Sequence, residues 1–295
     1  MDLTQRLRRQ ELVVVTGKGG VGKTTVSLAL GSLLAAHGRR VVVLETDPRE
    51  SLHQLADTAP SGGEIVRAGP RLSIQNVQPR SVLEELVHER VRIAALARRI
   101  VASPIFENFA AGAPGLKELA VLVHARRLVH GKRRRGDVVV LDAPATGHGV
   151  SLLAAPQLVT EVIGRGPVGE MAQELAALVA DPERCAVVIV TLAEEMAVQE
   201  AIELIALLRQ RVARRPDLVA VNGLYPPLPD RPPAAPPGTG GAMELWTARR
   251  AANERELERL GAAWKGTRVE LPLVPIERGP ALVAALRSLL AGEGA

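Results

Sequence analysis

The sequence predicts an α/β fold with a doubly wound, mostly parallel sheet and helices on both faces. Three observations predict it. Short apolar runs alternate with helix-length segments, the runs are rich in β-branched residues, and a glycine-rich turn separates the first run from the first helix. Nearly continuous apolar runs are typical of strands buried on both faces. The 295 residues suffice for one large core, so we expect a single domain over 1–295.

Seven apolar runs are predicted as strands, and four of the segments between them are long enough for crossover helices. The predicted strands are Leu12–Val15, Val41–Leu44, Leu72–Val77, Val138–Leu141, Ala186–Thr191, Leu218–Val221 and Val269–Leu273. The predicted helices are Thr25–His37, Glu195–Arg211, Met243–Leu260 and Pro280–Leu290. The order of these elements is that of a doubly wound sheet.

Two segments interrupt the alternation. Residues from about 50 to 135 contain one predicted strand and helical patterns at about 81–101 and 116–130, which we interpret as a helical insertion between sheet strands. Residues 225–241, YPPLPDRPPAAPPGTGG, are too rich in proline and glycine for regular structure, so we expect a surface loop. Insertions of this kind commonly carry the specific task of a general scaffold.

The glycine-rich turn carries the most specific motif. Gly17, four further residues and then Gly22, Lys23 and Thr24 match GxxxxGK[ST], the P-loop pattern, between a strand and a helix. Backbone N–H groups of such a loop converge on phosphate oxygens, and the following helix N-terminus favours the anion. Lys23 is predicted to reach the β and γ phosphates and Thr24 to face Mg²⁺. The predicted nucleotide-binding residues of the loop are Gly17, Lys18, Gly19, Gly20, Val21, Gly22, Lys23, Thr24 and Thr25.

Two acidic residues follow predicted strands. Asp47 in VVVLETDPRES and Asp142 in VVVLDAPATGHG are expected at the carboxyl edge of the sheet, where ligands bind in this architecture. With Thr24 they are the candidate metal-facing residues. The alternatives that the residues themselves leave open are an Asp-Pro turn at Asp47 and a helix cap at Asp142.

Several strings together resemble one protein family. GKGGVGKTT resembles the deviant Walker A motif of dimeric ATPases. TDP, DAPATGHG and PGLKEL resemble the two switch segments and a PG segment of the arsenical-pump and tail-anchored-protein-targeting ATPases, the ArsA/GET type. VTLAEEMAVQEA, VNGLYP and LPLVPIERG resemble further segments of that family, so the resemblance covers nearly the whole chain. MinD and ParA proteins usually carry D-x-P-P in the second switch instead.

The resemblance implies a Mg²⁺-dependent ATPase that works as a dimeric switch, either as a homodimer or with a paralogue. It implies that Lys18 reaches across the dimer to the partner's nucleotide, whereas the sequence alone also permits a solvated loop lysine. Asp47 would position the attacking water, and Asp142 would hold Mg²⁺ through water. With Lys18 and Lys23, Asp47 completes the candidate catalytic set.

The same resemblance implies roles for residues outside the P-loop. Asn222 would contact adenine, with Pro275 and Ile276 in a loop that covers the base. The segment from Thr146 to His148 would be the moving part of the second switch. One P-loop is present, so two active sites require two chains.

The sequence departs from the family pattern in two respects. Arg49, Glu50 and Ser51 replace the usual residues after TDP in the first switch. Cys185 is the single cysteine and precedes an apolar run, so we predict a core residue. The cysteines that bind arsenite in pump ATPases, and the paired cysteines of the zinc site in some targeting dimers, therefore have no counterpart.

Composition narrows the class of partners. The net charge of +5 is modest and the aromatic content is 2%, too low for base-stacking platforms, so no nucleic acid partner is expected. The basic run from 132 to 135 is interpreted as a solvated turn, although such runs also attract nucleic acid or anionic membranes. No signal sequence or membrane span is recognised, and with one cysteine the expected compartment is the cytoplasm.

The sequence leaves three outputs of the switch open. The protein could close an apolar groove around a hydrophobic client, drive an anion pump with a membrane-bound partner, or dock on a protein partner as a regulatory switch. Three apolar stripes at helical spacing favour the first slightly, and ordinary core burial is their alternative. The stripes are Leu83, Leu86, Ile93, Ala97 and Ile100; Leu116, Leu119, Ala120 and Val123; and Val168, Met171, Leu175 and Leu178.

Overall fold

A computed structural model describes residues 3–47, 49–91, 93–132, 134–144, 148–227 and 240–292. Eight strands form one sheet in the order β3-β4-β2-β5-β1-β6-β7-β8, in which every pair is parallel except β3 with β4. The strands are β1 Leu12–Gly17, β2 Val41–Glu45, β3 Val66–Gly69, β4 Leu72–Asn76, β5 Val138–Asp142, β6 Cys185–Leu192, β7 Leu218–Leu224 and β8 Arg268–Pro272. The predicted doubly wound α/β fold is confirmed.

Twelve helices are found in the described part of the chain. They are α1 Leu3–Leu7, α2 Lys23–Ala36, α3 Leu52–Ala56, α4 Pro79–Arg90, α5 Ala94–Val101, α6 Pro104–Gly112, α7 Leu116–His130, α8 His148–Ile163, α9 Gly166–Ala180, α10 Glu195–Arg211, α11 Gly240–Ala263 and α12 Pro280–Ala291. All four predicted crossover helices are present. The loop predicted at 225–241 ends earlier than expected because α11 begins at Gly240, and its residues 228–239 lie outside the described part of the chain.

The segment from 50 to 135 differs from its prediction in two ways. It contains two strands rather than one, because β3 pairs antiparallel with β4 at the sheet edge. β3 is four residues long and only partly buried, so it lacks the apolar run that identifies a central strand. The helical pattern at 81–101 is two helices, since the backbone is extended at Val91 and Ile93. The inserted helices α4 to α7 therefore follow β4.

Two hydrophobic cores lie on opposite faces of the sheet. Alternate residues of one strand point to opposite faces, so Val13 and Val15 of β1 pack with α2 and α12, while Leu12 and Val14 pack with α7 to α10. Burial on both faces explains the uninterrupted apolar runs of the central strands. It also fixes the carboxyl ends of β2, β5 and β1 side by side, where the candidate site residues lie.

Cys185 is fully buried at the start of β6, as predicted. Burial raises the pKa of its thiol to about 12, so it remains protonated and does not offer a thiolate at neutral pH. Among the described helices, none combines the length and the apolar character required to cross a membrane.

Candidate nucleotide site

The P-loop joins the end of β1 to the start of α2 and has a backbone that requires glycine. Gly20 and Gly22 have φ values of 83° and 89°, in the left-handed region. A Cβ at Gly17 would overlap the carbonyl oxygen of Val190 on β6. No described side chain caps the N-terminus of α2, so its first N–H groups are open to an anion. The loop therefore fits a phosphate group.

Lys23 is the first residue of α2, and its side chain folds back over the P-loop. Its Nζ donates to the carbonyl oxygen of Lys18 at 2.9 Å. Burial lowers the pKa of Lys23, and the carboxylates of Asp142 and Asp47 oppose this shift. Because a carbonyl is a weaker partner than a phosphate oxygen, the ammonium can transfer to a bound nucleotide.

Asp142 lies at the end of β5 and bonds to two hydroxyl groups of α2. Thr24 Oγ1 donates to Asp142 Oδ2 at 2.6 Å, and Ser27 Oγ donates to Asp142 Oδ1 at 3.2 Å. Sequence reasoning missed Ser27, although it follows Thr24 by three residues and so shares its helix face. The Thr24 hydroxyl and the carboxylate are hard oxygen donors, the type that Mg²⁺ prefers. The residues present therefore fit a magnesium ion.

Burial raises the pKa of Asp142 to about 6, and its bonds with Thr24 and Ser27 oppose the shift. A raised pKa means that the folded chain binds the proton more tightly than the unfolded chain does. This group's contribution to stability therefore falls as the pH rises from about 4 to about 6, and at pH 8 it is a net penalty.

We expect Asp142→Asn to raise the free energy of unfolding of the metal-free and nucleotide-free protein by about 1–3 kcal/mol at pH 8, because the substitution removes a buried charge. Urea titrations in chelator at pH 8, 7, 6 and 5 measure this. The difference from wild type should shrink below pH 6. A difference that is constant across these pH values, or a destabilised variant at pH 8, would contradict the assignment.

Asp47 lies in the loop after β2, with its side chain 44% exposed. Its carboxylate accepts from the backbone N–H of Arg49 at 2.9 Å and from the Arg49 guanidinium at 3.1 Å. These bonds lower the pKa of Asp47. Asn76 Nδ2 holds the loop by donating to the carbonyl oxygen of Asp47 at 2.6 Å. Arg49, a departure from the family pattern, thus pairs with the candidate catalytic carboxylate.

Lys18 takes part in an ion pair that the sequence did not suggest. Its Nζ lies 2.9 Å from Glu200 Oε1 on α10, and both side chains are about one-third exposed or less. The other oxygen, Glu200 Oε2, is buried without a hydrogen-bond partner among the described residues. Lys18 is therefore paired within its own chain rather than free on the loop. Because an ion pair that remains partly exposed is weak, Lys18 can still leave Glu200.

The predicted adenine contacts lie at the ends of β7 and β8. Asn222 Nδ2 donates to the carbonyl oxygen of Val21 at 3.0 Å, and a Cβ at Gly22 would overlap that amide. Asn222 therefore braces the P-loop in this structure. Pro275 and Ile276 follow β8 and are exposed. Their contacts with a base, and those of Asn222, remain predictions.

The second switch is described only in part. Thr146 and Gly147 lie outside the described residues, as does the side chain of His148, the first residue of α8. A Cβ at Gly149 would overlap the hydroxyl of Thr16 on β1, so α8 begins in close contact with the strand that leads to the P-loop.

Comparisons with known proteins identify the family of the chain. A family model described as anion-transporting ATPase matches residues 10–178, more than half of the chain and including the P-loop, Asp47 and Asp142. The chain belongs to the anion-transporting ATPase family. The resemblance drawn from the sequence motifs is thereby confirmed.

Individual relatives of this anion-transporting ATPase family member match it over different shares of its length. ATPase BagA of Mycobacterium tuberculosis is 32% identical over 70% of this chain and 63% of the relative. ATPase GET3 of Malassezia globosa is 32% identical over 50% and 43%. The arsenical pump-driving ATPase of Acidiphilium multivorum is 28% identical over 72% and 39%. The matched region thus spans less than two-thirds of each of these relatives.

An apolar groove of about 560 Å³ lies between the inserted helices and α9 of this anion-transporting ATPase family member. Its lining is almost entirely apolar, and among the described residues that line it Arg90 is the one that carries a charge. The other lining residues are Leu83, Leu86, Val87 and Val91; Ile100; Phe106; Leu116, Leu119, Ala120 and Val123; and Pro167, Val168 and Met171. Nine of the thirteen predicted stripe residues therefore line one groove.

The stripes divide between the groove and the core. Ala97, Leu175 and Leu178 are buried and serve only the core, as the alternative interpretation expects. Val168 is 37% exposed, and Leu86 and Met171 are half-buried at the core surface. Ile93 is 65% exposed in the break between α4 and α5 and does not line the groove, so its predicted place on a continuous stripe is wrong.

Proposed function

We propose that the chain hydrolyses ATP with Mg²⁺ and that its nucleotide state controls the binding of an apolar helical segment of a client protein. The observation that carries this proposal is the apolar groove, which is joined to the nucleotide site through α8. That helix begins where the second switch ends and packs on both α7 and α9, two helices of the groove wall. A shift at the switch would therefore move the groove walls.

The proposed chemistry is attack of water on the γ-phosphate of ATP. The new P–O bond forms as the bond to the β-phosphate oxygen breaks, ADP leaves, and the proton of the water departs with the phosphate or to solvent. The site supplies charge and position for this step. When bound, Mg²⁺ would neutralise charge on the phosphate oxygens. Lys23 would leave the Lys18 carbonyl for a phosphate oxygen, and Asp142 would orient the Thr24 hydroxyl toward the metal. Asp47 would leave Arg49 and position the attacking water.

The size of the groove supports a dimer as the binding form. A helix is roughly 10 Å across, so the 560 Å³ of one chain holds about two turns of a half-embedded helix. Two grooves placed side by side would cover about twice that length. Transfer of Lys18 from Glu200 to the partner's nucleotide would bring the two chains together.

We expect Leu86→Asp and Val168→Asp to weaken capture of an apolar helical peptide at least about tenfold. Each places a carboxylate in the groove wall. The measurement is fluorescence anisotropy of a labelled 18-residue Leu/Ala peptide with a non-hydrolysable ATP analogue. Val168 is the more exposed of the two, so its variant is the less prone to unfold.

Leu245→Asp is the matched control. Leu245 is 59% exposed on α11, outside the groove, so the same substitution there should leave capture unchanged. All three variants should bind the ATP analogue like wild type. If wild type captures no peptide with the analogue bound, the client-binding proposal fails and docking on a folded protein partner becomes the better account. Equal capture by wild type and both groove variants would move the client site elsewhere.

A further inference from the structure

Glu45 is a buried acidic residue that the proposed chemistry does not use. It is the last residue of β2, and its side chain is enclosed, with the residue 2% exposed. In the sheet register it lies between Asn76 of β4 and Asp142 of β5, so it stands beside Asp142 at the edge where the nucleotide site lies. An enclosed carboxylate needs strong partners in order to persist there.

Its partners come from the far end of the first switch. The backbone N–H and the hydroxyl of Ser51 donate to Glu45 Oε2 at 2.9 and 3.1 Å. The backbone N–H of Leu52 donates to both carboxylate oxygens, at 3.1 and 3.2 Å. The Glu45 carboxylate therefore ties the two ends of a short loop together. The chain leaves β2 at residue 45, and residues 51 and 52 return to bond with the Glu45 side chain.

Asp47 lies inside this closed loop. A hydrogen bond from the neighbouring strand β4 also holds it: Asn76 Nδ2 donates to the Asp47 carbonyl oxygen at 2.6 Å. Glu50, near the return point, has a φ of 48°, which a residue with a side chain rarely adopts. Its carboxylate accepts from the N–H groups of Ser61 and Gly62, at 2.7 and 3.2 Å. The loop thus holds an unfavourable conformation that its bonds must maintain.

We propose that Glu45 is a positioning residue for hydrolysis, whose buried carboxylate anchors the return of the first switch and so sets where Asp47 stands. Glu45 does not touch the nucleotide in this role. It acts through the Ser51 and Leu52 amides on the loop that carries Asp47. The inference rests on the proposed role of Asp47 in ATP hydrolysis.

Two substitutions at Glu45 separate hydrogen bonding from packing. Glu45→Gln keeps an oxygen that can accept from Ser51 and Leu52, whereas Glu45→Leu fills similar space without an acceptor. We expect Glu45→Leu to lower kcat about 10- to 100-fold with KM for ATP within about threefold of wild type, because the loss is one of position rather than binding. Glu45→Gln should restore kcat to within about threefold of wild type.

Hydrogen exchange of the nucleotide-free protein tests the anchor without any turnover. In Glu45→Leu the amides of Ser51 and Leu52 should exchange at least about tenfold faster, and in Glu45→Gln about as in wild type. If Glu45→Leu fails to fold, Ser51→Ala decides. It removes one of the bonds to the carboxylate and should lower kcat about threefold without changing KM.

Three results would overturn the inference. They are unchanged exchange at residues 51 and 52, an unchanged kcat in a folded Glu45→Leu or Ser51→Ala protein, and a loss that appears in KM alone. If wild type hydrolyses no ATP, the proposed function fails, while the exchange data still judge whether Glu45 anchors the loop.

Discussion

Lys23→Ala should lower Mg²⁺-dependent ATP hydrolysis by at least about 100-fold. We propose that Lys23 contacts the phosphates, so removing it would leave the charge that develops on the γ-phosphate without its nearest cation. In the structure its ammonium is held by the Lys18 carbonyl at 2.9 Å, a position from which it can move to a phosphate oxygen. Phosphate release under saturating ATP measures the effect.

Lys265→Ala is the control for Lys23→Ala. Lys265 is exposed in the turn between α11 and β8, so its removal changes the net charge by the same amount far from the P-loop. Turnover should remain at the wild-type value. Normal hydrolysis by Lys23→Ala itself would refute the assignment of the site.

Lys18→Ala should leave the affinity for the ATP analogue within about threefold of wild type and yet abolish analogue-dependent dimerisation, with hydrolysis lowered about 100-fold. The proposed contact of Lys18 is with the nucleotide of the partner chain. Its loss should therefore weaken the dimer without changing nucleotide affinity in the single chain. Sedimentation velocity with and without the analogue measures the dimer. An unaltered dimer with full turnover would leave Lys18 with only its pairing to Glu200.

Glu200→Gln should have the opposite effect. The Lys18 Nζ lies 2.9 Å from Glu200 Oε1 within one chain, and this pair must break before Lys18 can reach across the dimer. Removing the acceptor charge frees the lysine, so dimerisation should occur at a lower protein concentration. The gain should stay within about fivefold, because a partly exposed ion pair contributes about 1 kcal/mol or less. Weaker dimerisation would show that Glu200 itself supports the interface.

The elements that the sequence predicted correctly are those determined by residues close together in the chain. Continuous apolar runs identified the central strands because burial on both faces requires them, and the P-loop was recognisable because its glycines and lysine are adjacent in the chain. β3 escaped prediction because it is short, partly exposed and held by its pairing with β4. The break between α4 and α5 was not predicted because apolar residues recur at helical spacing across it.

The residues that sequence reasoning missed in the site act over long separations. Glu200 meets Lys18 only because α10 packs beside β1, and no motif joins the two. Glu45 comes directly after the predicted strand Val41–Leu44 and drew no prediction, because its proposed role depends on a loop that returns to it. Such contacts depend on tertiary structure, which strand and helix periodicity does not encode.

The coupling between nucleotide and client is the central claim, and one affinity measurement tests it directly. The dissociation constant of wild-type protein for a non-hydrolysable ATP analogue is measured alone and with a saturating apolar helical peptide. If ATP closes the groove, linkage requires that the peptide strengthen analogue binding by the same factor, which we expect to be at least about fivefold. An equal affinity with and without a peptide that does bind would contradict the account, because the groove would then be independent of the nucleotide site.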